Sequence, residues 1–364
     1  MGHQMLLSSR AARFWRSRDL GAPCECLVFF ARHTTARLAR ILAGILLIVS
    51  VVLPACTKQK GAAAASPQNT APPAQAVLDK SALPPDTGPT PAFDANRSFQ
   101  YIKEIVAFGP RPIGSENHKK VENYILSHLK DDNVEQDAFS ITPSQGTFPV
   151  RNIIAKFPGT RDGIIVIASH YDTNWPLRDT PYVGANDGGS SSALLLEIAN
   201  QLRGNKRDGY SIWLLWDDAE ESMRLPWYDP ESLYGVRHLA EKWQADGTLK
   251  KIKAFILEDM IGDADLNIDH DTNSTPWLED LVYQAATRLG YQSHFFERTL
   301  EIEDDHRPFL DRGVPCVDLI DLDYGYNNVF WHSSQDTVDK LSPKSLEIVG
   351  TVTLETVRML DKMK

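Results

Sequence analysis

From residue 96 to the C-terminus, segments with apolar residues at helical spacing alternate with short, nearly continuous apolar runs. The first pattern predicts helices, and the second predicts strands that are buried on both faces. Helices are predicted over residues 96–107, 116–129, 190–202, 233–243, 276–289 and 343–363. Strands are predicted over residues 152–157, 164–168, 212–216, 252–257 and 315–320. Buried strands that alternate with helices indicate a mostly parallel, twisted sheet covered on both faces, so we expect a single α/β domain.

The N-terminal region has a different pattern. Residues 41–53 form an uncharged apolar run that follows two arginines. The run is short for a membrane span and fits the apolar region of a secretory signal. It ends in Leu53-Pro54-Ala55-Cys56, which resembles a bacterial lipobox. We expect residues 1–56 to be a lipoprotein leader, with Cys56 acylated and the body held at a membrane outside the cytoplasm, on the periplasmic or outer-membrane side. An uncleaved membrane anchor is the alternative.

Residues 57–95 are rich in alanine and proline and contain few large apolar side chains. Such a segment cannot bury enough surface to offset the entropy of ordering it, so it is predicted to be a disordered tether. The catalytic body is then expected over residues 96–364. Of the four cysteines, only Cys316 lies in this body, in an apolar run that predicts a buried thiol, and no intramolecular disulfide is possible there.

Composition and charge narrow the possible partners. The chain has 364 residues, of which 42% are hydrophobic and 24% charged, with a formal net charge of −10. Seven of the 38 basic residues but only two of the 48 acidic residues lie within residues 1–56, so the body is more acidic than the whole chain. An acidic body repels a phosphate backbone, and nucleic acid is not expected as a partner. Carboxylates also collect around a metal ion or a substrate amine, and both remain possible.

Polar residues directly follow three of the predicted strands. Ser169-His170-Tyr171-Asp172 follows the second strand, residues 217–221 (DDAEE) follow the third, and Glu258-Asp259 follows the fourth. The ligand site of an open α/β sheet lies beyond the carboxyl ends of its strands. We therefore expect these carboxylates and the histidine to meet at one edge of the sheet and to form the functional site.

The residues at this edge are suited to a metal-dependent enzyme. Five residues in separate loops are suitable zinc ligands: His170, Asp187, Glu221, Asp259 and His332. A catalytic zinc keeps about three protein ligands and an open position, and a bound cation would relieve the repulsion among the carboxylates. The adjacent Glu220 and Glu221 suggest two roles, in which Glu221 binds the metal and Glu220 acts as a general base and then as an acid.

The order of the motifs is more specific than any one of them. In chain order they are His170-Tyr171-Asp172, Gly184-Ala185-Asn186-Asp187, Glu220-Glu221, Ser232-Leu233-Tyr234-Gly235, residues 257–262 (LEDMIG), residues 304–310 (DDHRPFL) and Trp331-His332. This ordered set covers essentially the whole body. It resembles the zinc-dependent, animal-type glutaminyl-peptide cyclotransferases, which belong to the same clan as the bacterial dizinc aminopeptidases.

The resemblance implies a phosphorylase/hydrolase-like α/β/α sandwich. It also implies a reaction, the conversion of the N-terminal Gln of peptides or proteins into pyroglutamate with release of ammonia. One zinc ion per chain would be bound by the residues that match the ligands of the family, which are Asp187, Glu221 and His332.

Five further positions receive roles from the same resemblance. Glu220 would transfer the proton from the attacking amine to the leaving ammonia. Asp259 and Asp304 match a hydrogen-bonded acidic pair near the substrate amide, and Trp227 and Trp331 match the aromatic residues that shape the pocket.

The chain also departs from the family at three places. Ser169 stands where the animal enzymes often have a disulfide cysteine, and Glu303 stands where they have glutamine. Residues 326–330 do not match the pocket phenylalanine of the family cleanly. These departures concern substrate preference more than the core chemistry.

Two other functions fit the same motifs. In a dinuclear zinc aminopeptidase, His170 and Asp259 would complete a second metal site, Asp187 would bridge the two ions, and Glu220 would activate water. Residues 222–232, which separate the paired glutamates from the next motif, favour the cyclase, because they form an insertion that matches the cyclases. A catalytically inactive, lipid-tethered binding protein is the second alternative.

Overall fold

The computed structural model of the protein describes residues 87–363. The predicted leader with its acylated Cys56, and residues 57–86 of the predicted tether, lie outside these residues. Within the described range, no helix has the length and apolar character needed to cross a membrane.

The described residues form helices and strands that alternate along most of the chain. The helices are α1 Ala95–Val106, α2 Glu116–His128, α3 Gly189–Leu202, α4 Tyr234–Asp246, α5 Pro276–Leu289, α6 Arg307–Leu310 and α7 Pro343–Lys362. The strands are β1 Val134–Ile141, β2 Phe148–Phe157, β3 Gly159–His170, β4 Arg207–Asp217, β5 Ile252–Asp259, β6 Ile268–Asp271, β7 Phe295–Leu300 and β8 Cys316–Ile320.

A six-stranded sheet forms the centre of the domain, with the strand order β1-β2-β4-β3-β5-β8. Strands β4, β3, β5 and β8 are parallel to one another, and β2 is antiparallel to both of its neighbours, β4 and the edge strand β1. Residues that alternate along β3 pack on opposite faces of the sheet. Ile165 and Ile167 join the apolar cluster formed with α1, α2, α3, α5 and α7, and Val166 and Ala168 join the cluster formed with α4 and α6. The predicted α/β/α sandwich with a mostly parallel sheet is therefore confirmed.

The sequence pattern missed the smaller elements. The antiparallel edge strand β1 is buried only at Asp137 and Ile141, so it has no continuous apolar run. Strands β6 and β7 form a separate two-stranded parallel sheet, and α6 is a single helical turn. The predicted buried thiol of Cys316 lies at the start of β8, where burial raises its pKa well above the usual value.

The body begins before the predicted boundary at residue 96. Thr87 donates a hydrogen bond to the buried carboxylate of Glu355 on α7. Phe93 packs against the larger apolar cluster and occupies the space left by Gly350, where an added Cβ would lie 2.4 Å from the ring. The described end of the predicted tether, residues 87–95, therefore contacts the domain.

The parallel register aligns the ends of the central strands. His170 at the end of β3 pairs with Asp217 at the end of β4, and Ala168 pairs with Leu257, two residues before the end of β5. The loops that follow these strands consequently start from the same edge of the sheet, as the sequence predicted.

Candidate active site

Three of the predicted ligands form a compact set at this edge. One nitrogen or oxygen atom from each of Asp187, Glu221 and His332 lies within 4.8 Å of the others. A second set of the same kind contains His170, Asp187 and Asp259, so Asp187 belongs to both.

The two oxygens of the Asp187 carboxylate face different histidines. Oδ2 lies 3.3 Å from His332 Nε2, which is also 3.3 Å from Glu221 Oε2. Oδ1 lies 3.2 Å from His170 Nε2, which is also 3.2 Å from Asp259 Oδ1. The carboxylate thus connects the two sets, and a single ion or a pair of ions would both involve Asp187.

The electrostatics of the site favour a bound cation. Burial lowers the pKa of His332, but the Glu221 and Asp187 carboxylates outweigh it and raise the pKa to about 10. The pKa of His170 is likewise raised well above its usual value, against burial, mainly by Asp259. Burial works to raise the pKa of Asp187, but the two histidines hold it well below the usual range. These shifts show that the site strongly favours positive charge. Among the described residues, the buried Glu221 Oε1 also has no hydrogen-bond partner. Histidine nitrogens and carboxylate oxygens are ligands of zinc, so the site fits a zinc ion.

Glycines allow the loop that carries Asp187 to approach the end of β3. Gly184 and Gly188 have φ angles of 52° and 72°, in the left-handed region that glycine adopts without strain. An added Cβ at Gly188 would lie 2.8 Å from His170 Cε1 and 3.0 Å from the Asp172 carbonyl oxygen. A side chain at this position would therefore push apart the two loops that carry the candidate ligands His170 and Asp187.

Arg111 joins the same two loops, and sequence reasoning missed it. The guanidinium is fully buried and donates to the carbonyl oxygens of Tyr171, Val183, Gly184 and Asp187. The sequence Pro110-Arg111-Pro112 gives no sign of this role, because the acceptors are main-chain atoms from distant segments. Arg111 is a positioning residue, since it fixes the backbone that carries the candidate metal ligands.

Further side chains orient the ligands themselves. Tyr182 donates its hydroxyl proton to Asp187 Oδ2 at 2.5 Å, and Asn174 Nδ2 donates to Glu221 Oε2 at 2.8 Å. Asp336 accepts from the backbone N–H of Asp187 at 3.2 Å. Such contacts fix the direction of a ligand and contribute to metal affinity. Only the position of Asn174, four residues after His170, could have suggested a role from the sequence.

Glu220 lies next to the ligands but belongs to neither set. Its Oε2 is 3.8 Å from His170 Nδ1, and the side chain is buried. Burial raises the pKa of Glu220 well above the usual value, and the negative charges of Glu221 and Asp304 raise it further, against the opposing effect of His170. A carboxyl group with a raised pKa can be ionised at one stage of a reaction and protonated at the next.

The backbone is strained at the residues that flank this chemistry. Ala219, Met260 and His332 have φ angles of 58°, 48° and 47°, which are uncommon for residues other than glycine. The loop after β4 is held by a hydrogen bond from the backbone N–H of Leu233 to the carbonyl oxygen of Glu220 at 2.7 Å. Strain of this kind persists where the surrounding fold enforces it, and it concentrates at functional sites.

One pocket of about 320 Å³ brings the predicted residues together. It is lined by the three expected zinc ligands, by Glu220, Asp259 and Asp304, and by Trp227 and Trp331. His170 is buried and contacts the pocket-lining Asp187 and Asp259 without lining the pocket itself. The Trp331 ring stacks on the His332 ring with 4.2 Å between their centroids.

The acidic pair is coupled electrostatically. Burial raises the pKa of Asp304 well above the usual value, and the neighbouring Asp259 charge raises it further. Each carboxyl accepts a backbone N–H, from Asp305 at 2.6 Å for Asp304 and from Met260 at 2.8 Å for Asp259. The two carboxyls therefore interact electrostatically within the pocket that both of them line. A protonated Asp304 can donate a hydrogen bond to a substrate amide.

A third group of possible ligands, Asp271, His306 and Asp318, is buried nearby. His306 directs Nε2 toward Asp271 at 3.2 Å and Nδ1 toward Asp318 at 3.7 Å. Asp271 already accepts hydrogen bonds from Ser274 and from backbone N–H groups. Different ring nitrogens of His306 face the two carboxylates, so the imidazole lies between Asp271 and Asp318 in the core.

The fold and the site together define a metal-dependent enzyme of the α/β/α sandwich class. The chain belongs to peptidase family M28, whose pattern matches residues 152–357. It is 32% identical over 254 residues to the glutaminyl-peptide cyclotransferase of Drosophila melanogaster, an alignment that covers 62% of this chain and 70% of the relative.

Solved structures of the same fold are similar over most of their length. The glutaminyl cyclase of an Acidobacteriales bacterium is 46% identical, with a TM-score of 0.74 over 76% of this chain and 98% of that chain. A zinc-dependent exopeptidase from Parabacteroides distasonis is 26% identical, with a TM-score of 0.67 over 76% of this chain and 100% of that chain. The resemblance inferred from the motifs is therefore confirmed.

Proposed function

We propose that the protein is a glutaminyl-peptide cyclotransferase, which converts the N-terminal Gln of peptides into pyroglutamate and releases ammonia. The observation that carries the proposal is the content of one pocket. In a chain similar to known glutaminyl cyclases, Glu220, an acidic pair and two tryptophans surround the Asp187–Glu221–His332 set.

Glu220 carries the proton transfers of this reaction. The α-amine nitrogen of the substrate attacks its own γ-amide carbon, a carbon–nitrogen bond closes the ring, and the bond to the amide nitrogen breaks. Glu220 accepts the proton that the amine loses and donates it to the nitrogen that leaves as ammonia. Its raised pKa suits both steps, because the group must change protonation state within one turnover.

The remaining residues hold the substrate in the reactive geometry. Ring closure within one residue needs no activated water, so catalysis depends on orientation and on a polarised amide. Asp304, Asp259, Trp227 and Trp331 line the same pocket. The two acids would hydrogen-bond the γ-amide, and the two tryptophans would limit the space for the side chain. These four residues bind and orient the substrate, whereas Glu220 moves the proton.

We further propose one zinc ion per chain, held by Asp187, Glu221 and His332. When bound, zinc supplies Lewis-acid polarisation of a carbonyl oxygen. Metal analysis of the wild type and of His170→Ala tests the number. One zinc per chain in both proteins is expected, and a second tightly held ion that is lost with His170 would contradict the mononuclear proposal.

Mass spectrometry of N-terminal Gln peptides incubated with the zinc-loaded protein tests the reaction. Cyclisation lowers the peptide mass by one ammonia, whereas an aminopeptidase removes a whole residue. Glu220→Gln is the matched control, because it keeps the shape of the side chain and removes its proton transfer. Release of free N-terminal residues would contradict the proposal, and so would unchanged peptides in the presence of retained zinc.

A dinuclear metalloaminopeptidase is the second candidate, favoured by the His170–Asp187–Asp259 set. That set could hold a second ion with Asp187 as the bridge, and Glu220 would then activate water. Removal of whole residues by a protein with two zinc ions would support this function.

We also propose that the protein is a lipoprotein, acylated at Cys56 and tethered outside the cytoplasm. The support is the apolar run over residues 41–53 and the lipobox-like sequence that follows it.

A further inference from the structure

The opening of the pocket is acidic. Seven carboxylates line the pocket, and no lysine or arginine is among the lining residues. Five of the seven are the buried acids of the reaction and metal site. The other two, Glu301 and Glu303, are exposed to solvent and therefore mark the place where the pocket opens.

The two exposed glutamates differ in how far their charge is offset. Glu303 lies 3.2 Å from the Arg307 guanidinium, which compensates much of its charge. Glu301 forms no hydrogen bond or ion pair with any residue between 87 and 363. Glu301 is consequently the uncompensated carboxylate at the mouth.

The backbone on both sides of Glu301 is fixed. The Leu300 carbonyl oxygen accepts a hydrogen bond from the Thr272 N–H at 2.8 Å. The Ile302 N–H donates to the buried Asp271 carboxylate at 3.0 Å. The backbone of Glu301 is thus held at a defined position, which keeps its side chain at the mouth of the pocket.

We propose that Glu301 makes the enzyme prefer peptides in which the N-terminal Gln is followed by lysine or arginine. The inference rests on the proposed function, because a Gln side chain at the base of the pocket directs the following residues toward the mouth. Trp331, which is 38% exposed, lines the same pocket and can contact the aliphatic stem of such a residue. The Glu301 charge attracts the cationic end and repels a glutamate or aspartate at the same position.

The experiment compares kcat/KM for Gln-Lys, Gln-Ala and Gln-Glu peptides of equal length. An exposed ion pair contributes modestly, so the Lys/Ala ratio is expected to be about two- to fivefold, and the Glu/Ala ratio should fall below one. Glu301→Gln should move both ratios toward one, and Glu301→Lys should invert the order. Raising the ionic strength should reduce the wild-type preference, because salt screens exposed charges.

Glu241→Gln is the matched control. Its side chain is 73% exposed on α4, lies 3.9 Å from Arg312 and does not line the pocket, so the wild-type ratios should be retained. The inference would be overturned if the wild type turned over the three peptides equally, or if Glu301→Lys left the ratios unchanged. In either case, turnover of the Gln-Ala peptide would still support the proposed function. No turnover of any of the peptides would instead contradict the function itself and the inference with it.

Discussion

Asp321 gives a stability prediction that can be worked out from the structure. The residue follows β8 and is completely buried, and its carboxylate accepts the backbone N–H groups of Asn267 at 2.8 Å and Asp323 at 3.0 Å. Burial nevertheless raises its pKa from 3.8 to about 7, with a further contribution from Asp263 and Asp269. The folded protein therefore binds a proton here at pH values where the unfolded chain does not.

The effect of Asp321 on stability at each pH follows from proton linkage. A raised pKa in the folded state means that this group contributes stability below about pH 4 and loses it as the pH rises to about 7. A difference of about three pKa units corresponds to about 4 kcal/mol of unfolding free energy. Asp321→Asn cannot ionise, but its single carbonyl oxygen keeps only one of the two hydrogen bonds well, at a cost of about 1 kcal/mol.

The variant should therefore be less stable than the wild type near pH 4, by about 1 kcal/mol, and more stable near pH 8, by about 3 kcal/mol. Urea denaturation of both zinc-loaded proteins at the two pH values measures this crossover. Asp311→Asn is the control, because the Asp311 side chain is 62% exposed beside Arg307. This substitution should change stability by a similar amount at both pH values. A constant difference between Asp321→Asn and the wild type would refute the reasoning.

Three further predictions concern the site and the N-terminus. Glu220→Gln should keep its zinc while kcat for an N-terminal Gln peptide falls by about 10²–10⁴, as expected for loss of a general acid–base, and metal loss would show that Glu220 is a ligand. Asn174→Ala removes the amide that orients Glu221 and should weaken zinc binding by about tenfold or more in chelator competition, whereas unchanged affinity would dismiss that role. Cys56→Ala should release the protein from the membrane fraction or leave it unprocessed, and wild-type fractionation and migration would contradict acylation.

The sequence predicts the centre of the fold and the clustering of the candidate ligands, for a physical reason. Continuous apolar strands and the polar residues at their ends, such as His170 and Asp259, are local patterns, and the parallel sheet converts them into one site. The edge strand β1 was not predicted because two of its inward-facing positions are the charged Glu135 and Asp137, so its sequence shows neither an apolar run nor an apolar–polar alternation. The smaller sheet was not predicted because β6 has only four residues and the six-residue β7 has apolar residues only at its ends.

Residues that act on the backbone could not be found in this way. Arg111 donates hydrogen bonds to carbonyl oxygens of loops that are sixty or more residues away in the sequence. Every residue has a carbonyl oxygen, so the sequence does not show which of them Arg111 contacts. Asp336 likewise accepts backbone N–H groups of the Asp187 loop. Their roles depend on which loops the fold brings together, which local composition does not contain.

The left-handed backbone at Ala219, Met260 and His332 has a consequence for how the enzyme is inactivated. Each residue in this conformation lowers the stability of the fold by about 1 kcal/mol or more. All three lie in the loops at the carboxyl edge of the sheet, whereas the sheet itself is stabilised by apolar clusters on both faces. Removal of zinc by a chelator, or mild heating, should therefore unfold these loops locally while the sheet stays folded. Activity lost under such treatment is expected to return when zinc is restored, because the sheet remains folded and the loops can pack against it again.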